Sequence, residues 1–185
     1  MKLTFPYIFK PNKTQKEIIE DIMWHCEKVY NTLNYNIYQG TELISLKESL
    51  NIQGNKIYKK YRNSNWHSKY LHSHTLQETI LNCVSDNKSY IALKEKYDNG
   101  DKTIKGEPRK PRYKSSGKMQ ITFTKYAIRI EGNTLKLSIS KEMQEKFEVK
   151  SLNFLISRKL KKLVNFSAIK MIKIRKEKEN KYKME

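Results

Sequence analysis

The sequence predicts an α+β fold, and three observations predict it. Apolar residues recur at helical spacing through most of residues 13–100. Period-two alternation marks both ends of the chain, at Leu3–Phe9 and again from Met119 onward. Between these regions lies Lys105–Lys118 (KGEPRKPRYKSSGK), where Pro108 and Pro111 donate no backbone hydrogen bond and press their neighbours toward extended geometry. This stretch sets Lys105, Arg109, Lys110, Arg112, Lys114 and Lys118 against one acid, Glu107, and reads as a stiff basic strap. Guanidinium groups fixed on such a strap suit phosphate oxygens taken two at a time. A solvated linker between two folded parts is the plainer reading of the same composition.

The elements follow in order. Leu3, Phe5, Tyr7 and Phe9 form a strand that Pro6 confines to an edge or a bulge. Thr14 and Glu17 have capping-box spacing at the head of a helix from about Lys13 to Tyr38. Its inward stripe is Ile18, Ile22, Cys26, Val29, Leu33 and Ile37, widened by Ile19, Met23 and Tyr30, and Gly40 ends it. A short amphipathic helix over Thr41–Leu50, capped by Thr41, precedes a basic one over Asn55–Arg62 and a polar loop over Asn63–Ser73. A second long helix runs from about His74 to Tyr97, with Leu76, Ile80, Val84 (or Cys83), Asn87 and Ile91 inward, and Asn99-Gly100-Asp101 stops it. After the strap, Met119–Phe123, Tyr126–Ile130 and Thr134–Ile139 read as strands, the last two joined through Glu131-Gly132-Asn133. Lys141–Glu148 makes a helical turn or two, and Leu152, Leu155, Ile156, Leu160 and Leu163 give Ser151–Val164 the spacing of a basic helix. Ile169–Arg175 and Lys181–Glu185 form a hairpin around Lys176–Asn180. Nothing in the sequence covers that last strand, so it reads as an open edge and the sequence as cut rather than ended.

The chain has 185 residues, 38 basic and 19 acidic, for a net charge of +19. A surplus of lysine, asparagine and isoleucine is what an AT-rich genome writes into any protein, so the location of the charge says more than its total. Residues 13–110 hold 16 basic against 12 acidic side chains, and residues 111–185 hold 20 against 7. A concentration of that kind points to nucleic acid or another polyanion as partner. Cys26 and Cys83 stand alone, which gives no zinc ribbon and no disulfide framework and makes a reducing cytoplasm the expected setting. No apolar run approaches membrane-spanning length, so no membrane partner is expected.

Three groups of side chains are weighed as sites. His67, His72 and His74, with Cys83, have the residue types of a metal site but no visible convergence, so no metal or other cofactor is assigned. Tyr58, Tyr61, Tyr90, Tyr97 and Tyr113 lie among cations, as stacking platforms do, although helix tyrosines are mostly packing. Tyr113, between Arg112 and Lys114, is the one favoured for a base. Arginine is scarce (Arg62, Arg109, Arg112, Arg129, Arg158, Arg175), and two of the six lie in the strap, as forked backbone contacts would need.

The order of these pieces resembles the N-terminal half of the TnpB (OrfB) proteins of insertion sequences, transposon-encoded RNA-guided DNA nucleases related to compact type V CRISPR effectors. The matching stretches are Phe9-Lys10-Pro11 to Gln15, Val29-Tyr30-Asn31, Thr75-Leu76-Gln77, Gly106-x-Pro108-Arg109 with Pro111-Arg112-Tyr113-Lys114, Phe123-Thr124, and the hairpin Ile128–Leu137. The resemblance implies a wedge-like small antiparallel β-barrel built from residues 1–12 and 111–185, with residues 13–110 as an inserted helical recognition bundle. It implies guide RNA and target-adjacent double-stranded DNA as partners, with Gln77, Thr124 and Lys125 at the duplex. Glutamine pairs with adenine, and a threonine methyl packs on the thymine methyl. The family's nuclease half is missing, and Asp21, Asp86, Asp98 and Asp101 sit in helices or the turn after them, not on an apolar strand as a two-metal site needs. The expectation is therefore a non-enzyme that binds nucleic acid, with the nuclease half possibly supplied in trans. The competing expectation is a structural module or DNA-binding repressor that pairs through the open edge at Lys181–Glu185.

Overall fold

The computed structural model describes residues 4–40, 56–115, 117, 119–158, 162, 164–165 and 168–185. The expected helix at Thr41–Leu50, the strap residue Lys118 and much of the segment after Arg158 lie outside them. The chain is α+β, with four helices and two antiparallel sheets among the described residues.

Helix α1 (Lys13–Tyr38) has the expected bounds, but its cap is Asn12, two residues before Thr14. Asn12 Oδ1 accepts from the Gln15 backbone N–H at 2.8 Å, and Gln15 Oε1 accepts from the Asn12 N–H at 2.9 Å. Asn12-x-x-Gln15 has the same reciprocal spacing, and Pro11 holds the approach extended, so the earlier cap wins. Gly40, at φ 78°, lets the chain leave the helix. Helix α2 (Lys56–Ser64) is followed by a 3₁₀ turn, Trp66–Tyr70, where a polar loop was expected. That turn packs its rings on α1, with Tyr70 stacked on His25 at 4.3 Å. Helix α3 (Ser73–Asp98) lies against α1, and Ile18, Ile22, Cys26, Val29, Leu33, Leu76, Ile80, Cys83 and Val84 are all buried between them and their neighbours.

The first sheet has the order β1-β7-β6-β2, built from β1 (Tyr7–Phe9), β2 (Ile121–Thr124), β6 (Met171–Lys178) and β7 (Lys181–Met184). The second has the order β3-β4-β5, built from β3 (Ile128–Glu131), β4 (Thr134–Leu137) and β5 (Leu152–Leu155). Helix α4 (Lys141–Phe147) lies between β4 and β5 in the chain. Two corrections follow. Strand β7 is not an edge, because β1 pairs with it on the side away from β6, through Tyr7↔Met184 and Phe9↔Tyr182. Leu152–Leu155 is a strand paired to β4, not the start of a helix. Its letters satisfy both periods, with Leu152 buried and Asn153 exposed, and the open side of β4 decides between them. The ladders of the two sheets do not join into a closed barrel among the described residues.

Side chains tie helices to sheets. Tyr182, fully buried, donates to Glu20 at 2.8 Å, and Lys176 reaches the same carboxylate at 2.8 Å. The Thr75 hydroxyl donates to the Thr122 carbonyl at 3.2 Å, which fixes β2 against the first turn of α3.

Candidate nucleic-acid interface

The strap crosses from α3 to β2 as an extended ribbon laid on α1. Its backbone is held by three α1 side chains one turn apart. Asn31 Oδ1 accepts from the Lys114 N–H at 2.8 Å, and its Nδ2 donates to the Lys114 carbonyl at 2.9 Å. Asn34 Nδ2 donates to the Pro111 carbonyl at 3.1 Å, and the Tyr38 hydroxyl donates to the same oxygen. Spacings of three and four place Asn31, Asn34 and Tyr38 on one face of the helix. Asn34 is positioned in turn by Asn87 of α3, whose Nδ2 donates to its Oδ1 at 2.9 Å. The prolines supply the extended backbone, and the amides supply partners that a proline-rich ribbon cannot find in a ladder.

The charges on this ribbon are distributed unevenly. Lys114 is paired with Asp86 of α3 at 3.2 Å and sits 4.6 Å from the centre of the Tyr30 ring. Lys110 lies over Tyr38 at 4.9 Å. Glu107, the strap's single acid, is taken by Lys94 of α3 at 3.1 Å. Arg109 and Arg112 are exposed, and among the described residues neither has an ion pair or a hydrogen bond; Lys105 is likewise exposed and unpaired. Elsewhere Lys146 is paired with Asp21, Lys176 with Glu20, Arg175 with Glu177 and Lys183 with Glu185, while Arg129 and Arg158 are exposed with no acid partner among the described residues. The strap thus keeps three exposed, unpaired cations, Lys105, Arg109 and Arg112, within eight residues.

Beside the strap runs a groove. Arg109, Pro111, Arg112, Tyr113 and Lys114 form one wall, and Asp86, Ser89, Tyr90 and Leu93 of α3 form the other. Tyr113 is 52 % exposed and touches Tyr38 edge-on at 6.2 Å. Tyr58 and Tyr61, by contrast, are buried in the helical core.

The remaining expected site residues lie elsewhere. Lys125 is exposed over the Tyr126 ring at 4.8 Å, at the far end of β2. Thr124 precedes it, but its hydroxyl oxygen is buried and has no hydrogen-bond partner, so it is not displayed to a ligand. Gln77 is half-buried in the second turn of α3. It precedes Asp86 by nine residues, about two and a half turns and about 14 Å, and so projects from the opposite side of α3. The structure joins Arg109, Lys110, Arg112, Tyr113 and Lys114 in one surface and leaves Gln77 outside it.

Sequence reasoning missed the histidine partner. His67 pairs with His25 of α1, Nδ1 to Nδ1 at 3.0 Å, while His72 and His74 stack on each other at the head of α3. Burial, aided by the neighbouring His67 and Lys146 and opposed by Asp21, holds His25 at about 4. His67 is lowered by burial and by Lys28. One neutral ring therefore donates and the other accepts. Both cysteines are buried and unpaired, with burial pushing the Cys26 thiol up to about 12. No group of three or more metal-ligating side chains converges among the described residues. Nor is any described helix long and apolar enough to cross a membrane.

Comparison with protein-family models and with curated proteins finds no match for this chain.

Proposed function

We propose that this chain binds nucleic acid through the strap, as the RNA-scaffold and duplex-recognition half of a TnpB-like protein, without a cleavage step of its own. One observation carries the reading: two exposed arginines with no acid partner, on a backbone pinned in place by Asn31, Asn34 and Tyr38. Pre-fixed guanidinium groups lose little entropy on meeting a phosphate, and no internal acid competes for them. In this reading the two sheets serve as the wedge-like platform and α1–α3 as the recognition bundle. Guide RNA and double-stranded DNA are the partners, with a nuclease half acting in trans. None of this requires a closed barrel. Gln77 and Lys125 would meet the duplex at the head of α3, apart from the strap, while the buried Thr124 hydroxyl would not.

The test is a titration of the full chain against labelled RNA and DNA over a range of salt. If six or more phosphates are neutralised, affinity falls by about a thousandfold or more between low and physiological salt. Arg109→Gln and Arg112→Gln should each reduce the slope of log affinity against log salt by about 0.7–0.9. A wild-type affinity indifferent to salt sinks the proposal. The rival pairing through an open Lys181–Glu185 edge has lost its ground, since β1 occupies that edge.

A further inference from the structure

We propose that the groove between the strap and α3 holds one unpaired ribonucleotide, its base on the Tyr113 ring and its ribose 2′-hydroxyl on Asp86 Oδ1. This rests on the nucleic-acid reading above and narrows the ligand of that surface to single-stranded RNA. Tyr113 is the strap's only aromatic residue, it lines the groove, and it is half-exposed. The Tyr38 contact is edge-on, at 68° between planes, and so steadies the ring without covering both faces. The backbone is anchored on either side of it, at Pro111 and Lys114, so the ring is in place before a ligand arrives. Across the groove stand Tyr90 and Leu93, whose ring and alkyl surfaces suit a base. Cations along the rim with an aromatic ring within are the pattern of single-strand binding. A paired base in a duplex is stacked on its neighbours and presents no face to such a ring.

Asp86 points to ribose. A carboxylate in a phosphate-binding groove repels the backbone, yet this one is 43 % exposed. Its Oδ2 accepts from the Tyr30 hydroxyl at 2.6 Å and from Lys114 Nζ at 3.2 Å. Oδ1 has no partner among the described residues, and what it accepts is an O–H or N–H. Ribose supplies a hydroxyl next to the base where deoxyribose has none.

The experiment measures affinity of the full chain, by fluorescence anisotropy at one salt concentration, for a single-stranded RNA, the DNA of the same sequence, and an RNA duplex. Tyr113→Ala should weaken single-stranded RNA binding by about tenfold to a hundredfold, with duplex binding unchanged, while Tyr113→Phe keeps the wild-type affinity. Asp86→Ala frees Lys114 and strengthens both polymers alike, so the readout is the ratio of RNA to DNA affinity, which should fall several-fold. The inference is overturned if Tyr113→Ala weakens single strand and duplex by the same factor or leaves both unchanged, or if Asp86→Ala leaves the ratio as it was. These results sink the inference alone when wild-type binding still has its salt slope; a wild-type chain without that slope sinks the functional reading as well.

Discussion

Asn31 and His25, two polar residues of one helix, do opposite kinds of work. Asn31 gives both ends of its amide to the Lys114 backbone, so Asn31→Ala removes two hydrogen bonds at once. The expected cost is about 1–3 kcal/mol, read as a lower unfolding midpoint in urea. His25 is buried as a neutral ring, with Tyr70 stacked on it and His67 bonded to it. Unfolded, it takes up a proton near its ordinary value of 6.5; folded, only at about 4. Between these values the unfolded chain binds more protons, so stability is whole above about pH 6.5 and falls as pH drops toward 4. The loss should be roughly 2–3 kcal/mol over that window, and thermal melts of His25→Phe, which keeps the stacked ring, should show a shallower slope. Neither role is legible in the sequence: an asparagine at helical spacing looks like any surface residue, and His67 lies 42 positions from its partner.

At the scale of elements, the strap is held in place by its anchors. It has no ladder of its own, and α1 supplies the missing partners from one face. A double change, Asn31→Ala with Asn34→Ala, should release the ribbon while α1 stays folded. Amide exchange at Lys114 should then quicken, with nucleic-acid affinity falling although no cation has been removed. Prolines and charge announced the strap from the sequence, and the two long helices announced themselves by their apolar stripes. Strand β5 did not, because Leu152, Leu155 and Ile156 satisfy helical spacing and only the open side of β4 makes Leu152–Leu155 a strand. The cap of α1 was misplaced for a related reason: two capping signatures overlap at its start, and backbone geometry selects Asn12.

For the whole molecule, Tyr182 is the residue where the parts meet. It lies on β7 between β1 and β6, with its hydroxyl on Glu20 of α1. Tyr182→Ala should cost about 3–5 kcal/mol and leave the chain largely unfolded, as near-ultraviolet circular dichroism would show. Charge acts at this scale as well. With a net charge of +19, the folded chain repels itself, so moderate salt should raise the melting temperature, while a bound polyanion at low salt raises it further.

From its letters alone the chain determined its class, its two long helices with their buried stripes, its strand-forming ends and the place where its charge collects. These follow from local periodicity and from proline, which act within a few residues. The tertiary structure alone decided that the first strand covers the last, that two open sheets form, that Gln77 turns away from the strap, and that Arg109 and Arg112 stand exposed without an acid on a pinned backbone. Each of these depends on which distant groups meet across the fold, and a contact between residues far apart in the chain leaves no period for a sequence to display.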